Sequence, residues 1–258
     1  MRLFKGVYNY HSMPIPQLSA ADLNLLRQYD TPTICNVIEL FEIQPRTAGY
    51  MDGRIRACFP EMPPIVGYAA TATMHCAFPR TQGAVYSSLD EQVSRFADFP
   101  GPPIVVFQDL DDPPVAATFG EIMCSTYQAF GAVGLITSGA ARDLDQVRRL
   151  GFSVFSNGAI CSHGYSHIVS IQIPVRVGGI AIQPGDLLHG DANGVTAIPH
   201  SIASEVAQVA AEYVAAEAVI LDFTKSGSKD VKQFTAARQE CFRQLAELSK
   251  RVCVKRAT

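Results

Sequence analysis

Gly131-Ala132-Val133-Gly134-Leu135-Ile136-Thr137-Ser138-Gly139-Ala140-Ala141-Arg142-Asp143-Leu144-Asp145 is the stretch that decides the fold. Residues 131–137 are apolar and bounded by glycine, which predicts a buried strand. Residues 141–150 then predict a short helix. The same alternation precedes and follows it. Ile104-Val105-Val106-Phe107 reads as a buried strand between Pro103 and the acidic residues 109–112. Pro113-Pro114 stiffen the loop after it, and a helix is predicted from Phe119-Gly120 through Phe130. Val154-Phe155 reads as another strand. Strands alternating with helices predict an α/β domain, and the strand-rich middle favours a mixed sheet.

Further out, Ser19 with Asp22 three residues later predicts a capped helix through Leu23, Leu25 and Leu26. Thr31-Pro32 predicts an N-cap followed by proline at the first helical position. Residues 65–77 alternate small, β-branched and polar side chains, as a strand does, and residues 84–96 predict a helix. Residues 169–177 contain Pro174 and predict an edge or broken strand. Gly178-Gly179, Pro184-Gly185-Asp186 and Asp191-Ala192-Asn193-Gly194 are turn signals between short strands. A long helix follows Ser201. Residues 224–229 read as a Ser/Gly/Lys-rich linker, after which a helical pattern resumes with Phe234, Phe242, Leu245 and Leu248. The expected division is one catalytic domain with N-terminal helices over residues 1–221 and a helical C-terminal extension over 222–258.

The chain has 258 residues, of which 48% are hydrophobic and 17% charged, which excludes disorder over most of its length. A net charge of -3 argues against a nucleic-acid surface on the scale of the domain. No apolar run is long enough to span a membrane, and the N-terminus lacks the apolar segment of a secretory signal. The seven cysteines are widely spaced, with no C-x-x-C, so neither a disulfide framework nor a zinc site is expected. A cytoplasmic location is the expectation, with no membrane or nucleic-acid partner.

Two groups carry chemistry: Phe119-Gly120-Glu121-Ile122-Met123 and Gly139-Ala140-Ala141-Arg142-Asp143. Both follow predicted strands. Free amides at a helix start bind anions, and Gly120 lets a ligand approach the backbone. Arg142 can grip a carboxylate with two hydrogen bonds, and Asp143 is a hard oxygen ligand for Mg²⁺ or Mn²⁺. Together they could hold a 2-oxo acid and a divalent metal ion. The plainer reading is an ordinary helix start and a surface Arg–Asp pair, which composition alone favours.

Spacing changes that judgement. Glu121, twenty intervening residues and Arg142-Asp143 match the acidic-x20-Arg-Asp pattern of the class II pyruvate aldolases of the RraA-like family. Residues 139–145 look like that family's G-x-x-R-D-x-D/E turn. Residues 174–179 resemble its P-V-x-x-G-G, and residues 184–186 and 191–195 resemble its P-G-D and D-x-x-G-V blocks. The resemblance covers roughly residues 17–221. It implies a three-layer β/β/α swivelling-domain fold with a mixed sheet and flanking helices. It also implies a homotrimer or a hexamer formed as a dimer of trimers, with sites at subunit interfaces.

The implied activity is that of a metal-dependent aldolase, a carbon–carbon lyase. It would cleave a 4-hydroxy-2-oxo di- or tricarboxylic acid, such as 4-hydroxy-4-methyl-2-oxoglutarate, to pyruvate. The amides of Gly120, Glu121, Ile122 and Met123 would contact the pyruvyl part. Arg142 would bind its carboxylate or keto oxygen, Asp143 would ligate the metal, and Glu121 would orient a water. Glu217 of a neighbouring subunit, with Glu212 as fallback, would complete the site. Cation and substrate together would stabilise a pyruvate enolate, so oxaloacetate decarboxylation is within the same chemistry. The lysines nearest the matched blocks, Lys5 and Lys225, lie outside them, so no Schiff-base route is suggested.

The sequence departs from the family at Asn36, where an acidic residue is common, in the acid- and proline-rich segment 109–114, and in its long tail. The rival implication is a non-enzymatic regulator that binds a protein such as a ribonuclease, since the family includes such inhibitors. They typically lack the Asp of the Arg-Asp pair, and Asp143 is present. A methyltransferase would show a Gly-rich nucleotide loop, and none is found. Elsewhere, His163 and His167 read as a loop pair with a possible substrate contact rather than a zinc site. His75 reads as a satisfied structural histidine, Arg80 as a surface arginine, His189 as a maker of local hydrogen bonds in a turn, and Cys124 as packing.

Overall fold

The computed structural model describes residues 15–79 and 88–257. At its centre is β2 (Ile65–His75), an eleven-residue strand. Apart from Tyr68, Met74 and His75 its side chains are small or β-branched, and both faces are covered: every residue but His75 is buried. It pairs in parallel with β3 (Pro103–Asp109), which pairs with β5 (Gly134–Thr137), which pairs with β7 (Ser153–Ser156). β1 (Arg56–Ala57) adds an antiparallel edge to β7. On the other side of β2, its first half pairs antiparallel with β11 (Leu187–Asp191), which pairs with β12 (Gly194–Ile198). Its second half pairs with β8 (His167–Ile171). The result is one mixed sheet of eight strands.

The parity of the strands sorts the core into layers. Val66, Tyr68, Ala70, Ala72 and Met74 face the helices, together with Val105, Phe107 and Leu135. There α3 (Leu89–Ser94), α4 (Glu121–Ala129) and α5 (Leu144–Leu150) cover the parallel half of the sheet. The other half is covered by α1 (Ala20–Leu26), α2 (Thr31–Glu39), α6 (Ala203–Lys225) and α7 (Val231–Ala257). Ile65, Ala69, Ile104, Val106 and Ile136 point to the opposite face, onto β9 (Val175–Val177) and β10 (Ile180–Ile182). A small two-stranded layer, the main sheet and a helical layer make three layers. No helix among the described residues is long and apolar enough to cross a membrane.

Several expectations are refined. The N-cap of α2 is Asp30, which accepts from the Thr33 amide, while Thr31 is buried inside the first turn. Its amide donates to Asp191 and its hydroxyl pairs with the His189 ring at 2.9 Å. Thr31 is therefore spent on tertiary contacts, and the neighbouring carboxylate takes over the cap. The helix expected over 84–96 is α3 followed by a 3-10 turn, Arg95–Asp98; residues 84–87 lie outside the described residues. Phe119 ends a short strand, β4 (Ala117–Phe119), instead of opening a helix. Residues 140–141 form β6 (Ala140–Ala141), so α5 starts later than expected. The stretch 169–177 is two strands in different sheets, because Pro174 cannot donate to a ladder. The stretch expected as a linker over 224–229 begins inside α6, which continues to Lys225. α7 folds back on α6 and buries Leu248 and Val252 in the helical layer.

Candidate active site

β4 and β6 pair in parallel beyond the carboxyl ends of the main strands. This miniature sheet brings the two sequence-distant groups together, since β4 leads into Gly120 and β6 into Arg142. The Arg142 amide donates to the Phe119 carbonyl at 3.3 Å, which locks the two exits side by side.

Gly120 is extended, so its conformation suits any residue. Space is what demands glycine there: a Cβ would run into the Asp143 carboxylate and the Arg142 side chain. The Glu121 amide, first in α4, donates to Asp143 Oδ2 at 3.0 Å. Arg142 Nε lies 3.9 Å from the same oxygen. Asp143 adopts the left-handed conformation, φ 54°, at the start of α5. Aspartate tolerates that region better than most residues, and such strain concentrates at functional sites. The turn aims the Asp143 carboxylate back at Gly120 instead of capping its own helix, where it makes no side-chain cap bond.

The structure thus brings together Gly120, Glu121, Arg142 and Asp143. Ile122 is exposed and Met123 is buried, so only backbone of Met123 can face a ligand. One amide of the expected cradle, that of Glu121, is occupied by Asp143 itself. Arg142 lines a shallow cleft of about 10 Å³ with Gly120, Ile122, Met123 and His163, scarcely room for one water. Glu217 is not brought here within the chain. It lies on α6 beside Tyr213 and near Cys241, in the helical layer, and Glu212 pairs with Arg251 of α7 at 2.5 Å.

Asp143 spends Oδ2 on the Glu121 amide, and its Oδ1 makes no hydrogen bond among the described residues. The described residues contain no cluster of three or more His, Cys, Asp or Glu able to hold a metal ion. A single aspartate oxygen suits Mg²⁺, which keeps most of its shell as water and substrate oxygen. It does not suit zinc, which takes three or four protein ligands.

Sequence reasoning missed a buried polar layer below the mini-sheet. Thr137 donates to the Thr118 hydroxyl at 3.1 Å, and the Gly139 amide donates to Thr137. Asp109 is 7% exposed, and its Oδ2 has no hydrogen-bond partner. Burial, aided by the nearby Asp111 charge, pushes its carboxyl up to about 6. Asp111 in turn meets His75 at 3.2 Å and accepts from the amides of Cys76 and Ala77. The acidic run after β3 was the available signal. His75 is thus satisfied; Arg80 lies outside the described residues.

His189 makes long-range rather than local bonds: it is fully buried on β11 and bonds Thr31 and the Leu26 carbonyl. Burial pulls its pKa down. His163 and His167 bond neighbouring carbonyls from a loop and a strand start. Cys124 is fully buried, and burial pushes its thiol far up, which leaves it inert.

Comparison with known proteins agrees with this architecture. A protein of Halalkalibacterium halodurans named "Putative 4-hydroxy-4-methyl-2-oxoglutarate aldolase" is 35% identical over 112 residues, 43% of this chain and 52% of that protein. The chain thus spans about half the length of that relative. An uncharacterized protein from Pseudomonas syringae superposes with a TM-score of 0.69 at 24% identity, over 88% of this chain and 98% of that one. Streptomyces coelicolor RraAS2, described as an unusual member of the RNase ES inhibitor RraA protein family, gives 0.62 at 21% identity, over 82% and 100%. Both likenesses concern the fold. Residues 31–197 match the family described as Aldolase/RraA, and the chain belongs to the RraA-like family.

Proposed function

We propose that the chain is a class II pyruvate aldolase that cleaves a 4-hydroxy-2-oxo di- or tricarboxylic acid to pyruvate, with Mg²⁺ or Mn²⁺ as cofactor. The observation that carries this reading is the convergence of Arg142, Asp143 and the α4 N-terminus on Gly120, where a Cβ has no room. Asp143 would hold the cation. A divalent ion there supplies Lewis-acid stabilisation for negative charge that develops on the 2-oxo oxygen.

The remaining work falls to the chain. Arg142 offers a planar fork of donors to the substrate carboxylate and fixes the oxo acid's orientation. The Ile122 and Met123 amides, at the positive end of α4, add donors for the same anion. Glu121, exposed beside them, would hold a water that takes the proton of the 4-hydroxyl. Cleavage of the C3–C4 bond leaves its electron pair on the pyruvyl fragment, and a proton delivered to C3 completes pyruvate. Loss of carbon dioxide from oxaloacetate leaves the same fragment, so this site would also decarboxylate that acid.

A cleft of about 10 Å³ cannot enclose such a substrate. The missing wall is assigned to a second copy of the chain in a homotrimer or hexamer, with Glu217 as the acidic group it would bring. The test is pyruvate release from 4-hydroxy-4-methyl-2-oxoglutarate and from oxaloacetate, with Mg²⁺ or Mn²⁺ and with chelator, corrected for the metal-only rate. Metal-dependent release supports the reading. Absence of release from both, together with no thermal stabilisation by oxalate plus metal, would favour a binding protein, the role stated for the RNase ES inhibitor family.

A further inference from the structure

A second, wider cavity lies elsewhere. It opens at the carboxyl ends of β3, β5 and β7, on the face carrying β9 and β10, and encloses about 360 Å³. Its origin is topological. All three helices α3, α4 and α5 cross on the other face, and the β9–β10 hairpin covers only part of this one. Crevices beyond the carboxyl ends of parallel strands are the usual ligand sites of open α/β sheets, and this volume fits a small molecule.

The charges around it divide into spent and unspent. Arg54 is held by Asp52 through two hydrogen bonds, and Asp111 by His75 and two amides. Arg176, exposed on β9, has no carboxylate partner among the described residues. Gln108 spends its oxygen on the Arg176 amide, which leaves its NH₂ to donate. Ser138 accepts from the Asp109 amide, which leaves its O–H to donate. Asn157 adds a side-chain amide. Four groups able to donate thus line the cavity against two carboxylates with an unspent oxygen, Asp112 and the buried Asp109. Donors around a guanidinium call for a carboxylate. The Asp112 oxygens accept from hydroxyls and repel a second anionic group.

We propose that this cavity is a second binding site, for a polyhydroxy monocarboxylate of sugar-acid type, with its carboxylate on Arg176 and its hydroxyls toward Asn157, Ser138 and Asp112. None of its lining residues lines the Gly120–Arg142 cleft. Ser138 opens the turn that leads to Arg142, so an occupant would press on the segment carrying that guanidinium.

The test is calorimetric titration of D-gluconate into the full chain in metal-free buffer, using wild type, Arg176→Ala and Arg142→Ala. Saturable binding to wild type and Arg142→Ala is expected. Arg176→Ala should weaken it about tenfold or more, the worth of a charge-assisted hydrogen-bonded pair. No saturable binding to wild type at millimolar gluconate would overturn the proposal. So would equal affinity in Arg176→Ala, or loss in Arg142→Ala alone, which would put the ligand in the other cleft. The Arg142→Ala arm keeps this result separate from the fate of the aldolase reading.

Discussion

Gly120 separates geometry from chemistry, because it contributes no functional group. Gly120→Ala adds only a methyl, yet that methyl meets Asp143 and Arg142. Steady-state kinetics should show at least a tenfold loss in kcat/KM with an unchanged fold by circular dichroism, on the order of the penalty for an ångström-scale misplacement. Asp143→Ala should abolish metal-dependent pyruvate release, while Arg142→Ala should mainly raise KM for the oxo acid; wild-type-like kinetics would remove either from the site.

Asp109 makes a prediction of a different kind. Its folded-state pKa, about 6, lies above the ordinary aspartate value of 3.8, so the folded protein binds the proton more tightly. The stabilisation is fully present below the unfolded pKa and is lost as pH rises through about 6. His189, with a depressed pKa, contributes the opposite trend, being destabilised by acid. The informative quantity is therefore the difference between wild type and Asp109→Asn in urea titrations. Relative to the variant, wild type should lose about 1–3 kcal/mol between pH 4 and pH 7.5. A constant difference across that range would refute the assignment.

At this scale the sequence was legible where spacing carried the message. Glu121, Arg142 and Asp143 are separated by twenty residues because a helix and a strand lie between them. It misread His189, whose partners Thr31 and Leu26 are distant in the chain, and it was silent on the burial of Asp109, which depends on segments distant in the chain such as the turn at Ser138.

Among elements, long apolar strands and the periodic helices α1, α2 and α6 were read from their patterns. The two short strands β4 and β6 were not, and they are what joins the site. A two-residue strand has no period to detect, and its pairing is set by the chain around it. The cap of α2 was misplaced by one residue because Asp30 and Thr31 are both good caps, and only the tertiary demand from Asp191 and His189 decides between them. Asp30→Ala should cost about 1 kcal/mol in urea unfolding, the usual loss for a cap. A neutral substitution would mean that Thr31 takes over the cap.

For the whole molecule, three layers follow from strands whose alternate residues serve two different cores. Leu187 joins the helical core and Leu188 the core beneath β9 and β10. Sequence pattern predicted the mixed sheet, and the family blocks supplied the layer order. The tail was legible as helical, but its docking was not, because its large aromatics Phe234 and Phe242 stay exposed while the residues that dock are set by the packing of α6. Leu248, 6% exposed, ties α7 into the helical core. Leu248→Ala should destabilise the chain by about 2–4 kcal/mol. An effect below about 0.5 kcal/mol would show that α7 is not part of the cooperative fold.

The central claim is that Arg142 and Asp143 support formation of a pyruvate enolate. Exchange of the pyruvate methyl protons in D₂O, followed by proton NMR with Mg²⁺ or Mn²⁺, tests it without any assumption about the distal half of the substrate. The account predicts exchange well above the metal-only rate, abolished by chelator and by Asp143→Ala. Exchange no faster than metal alone, or undiminished in Asp143→Ala, would contradict it.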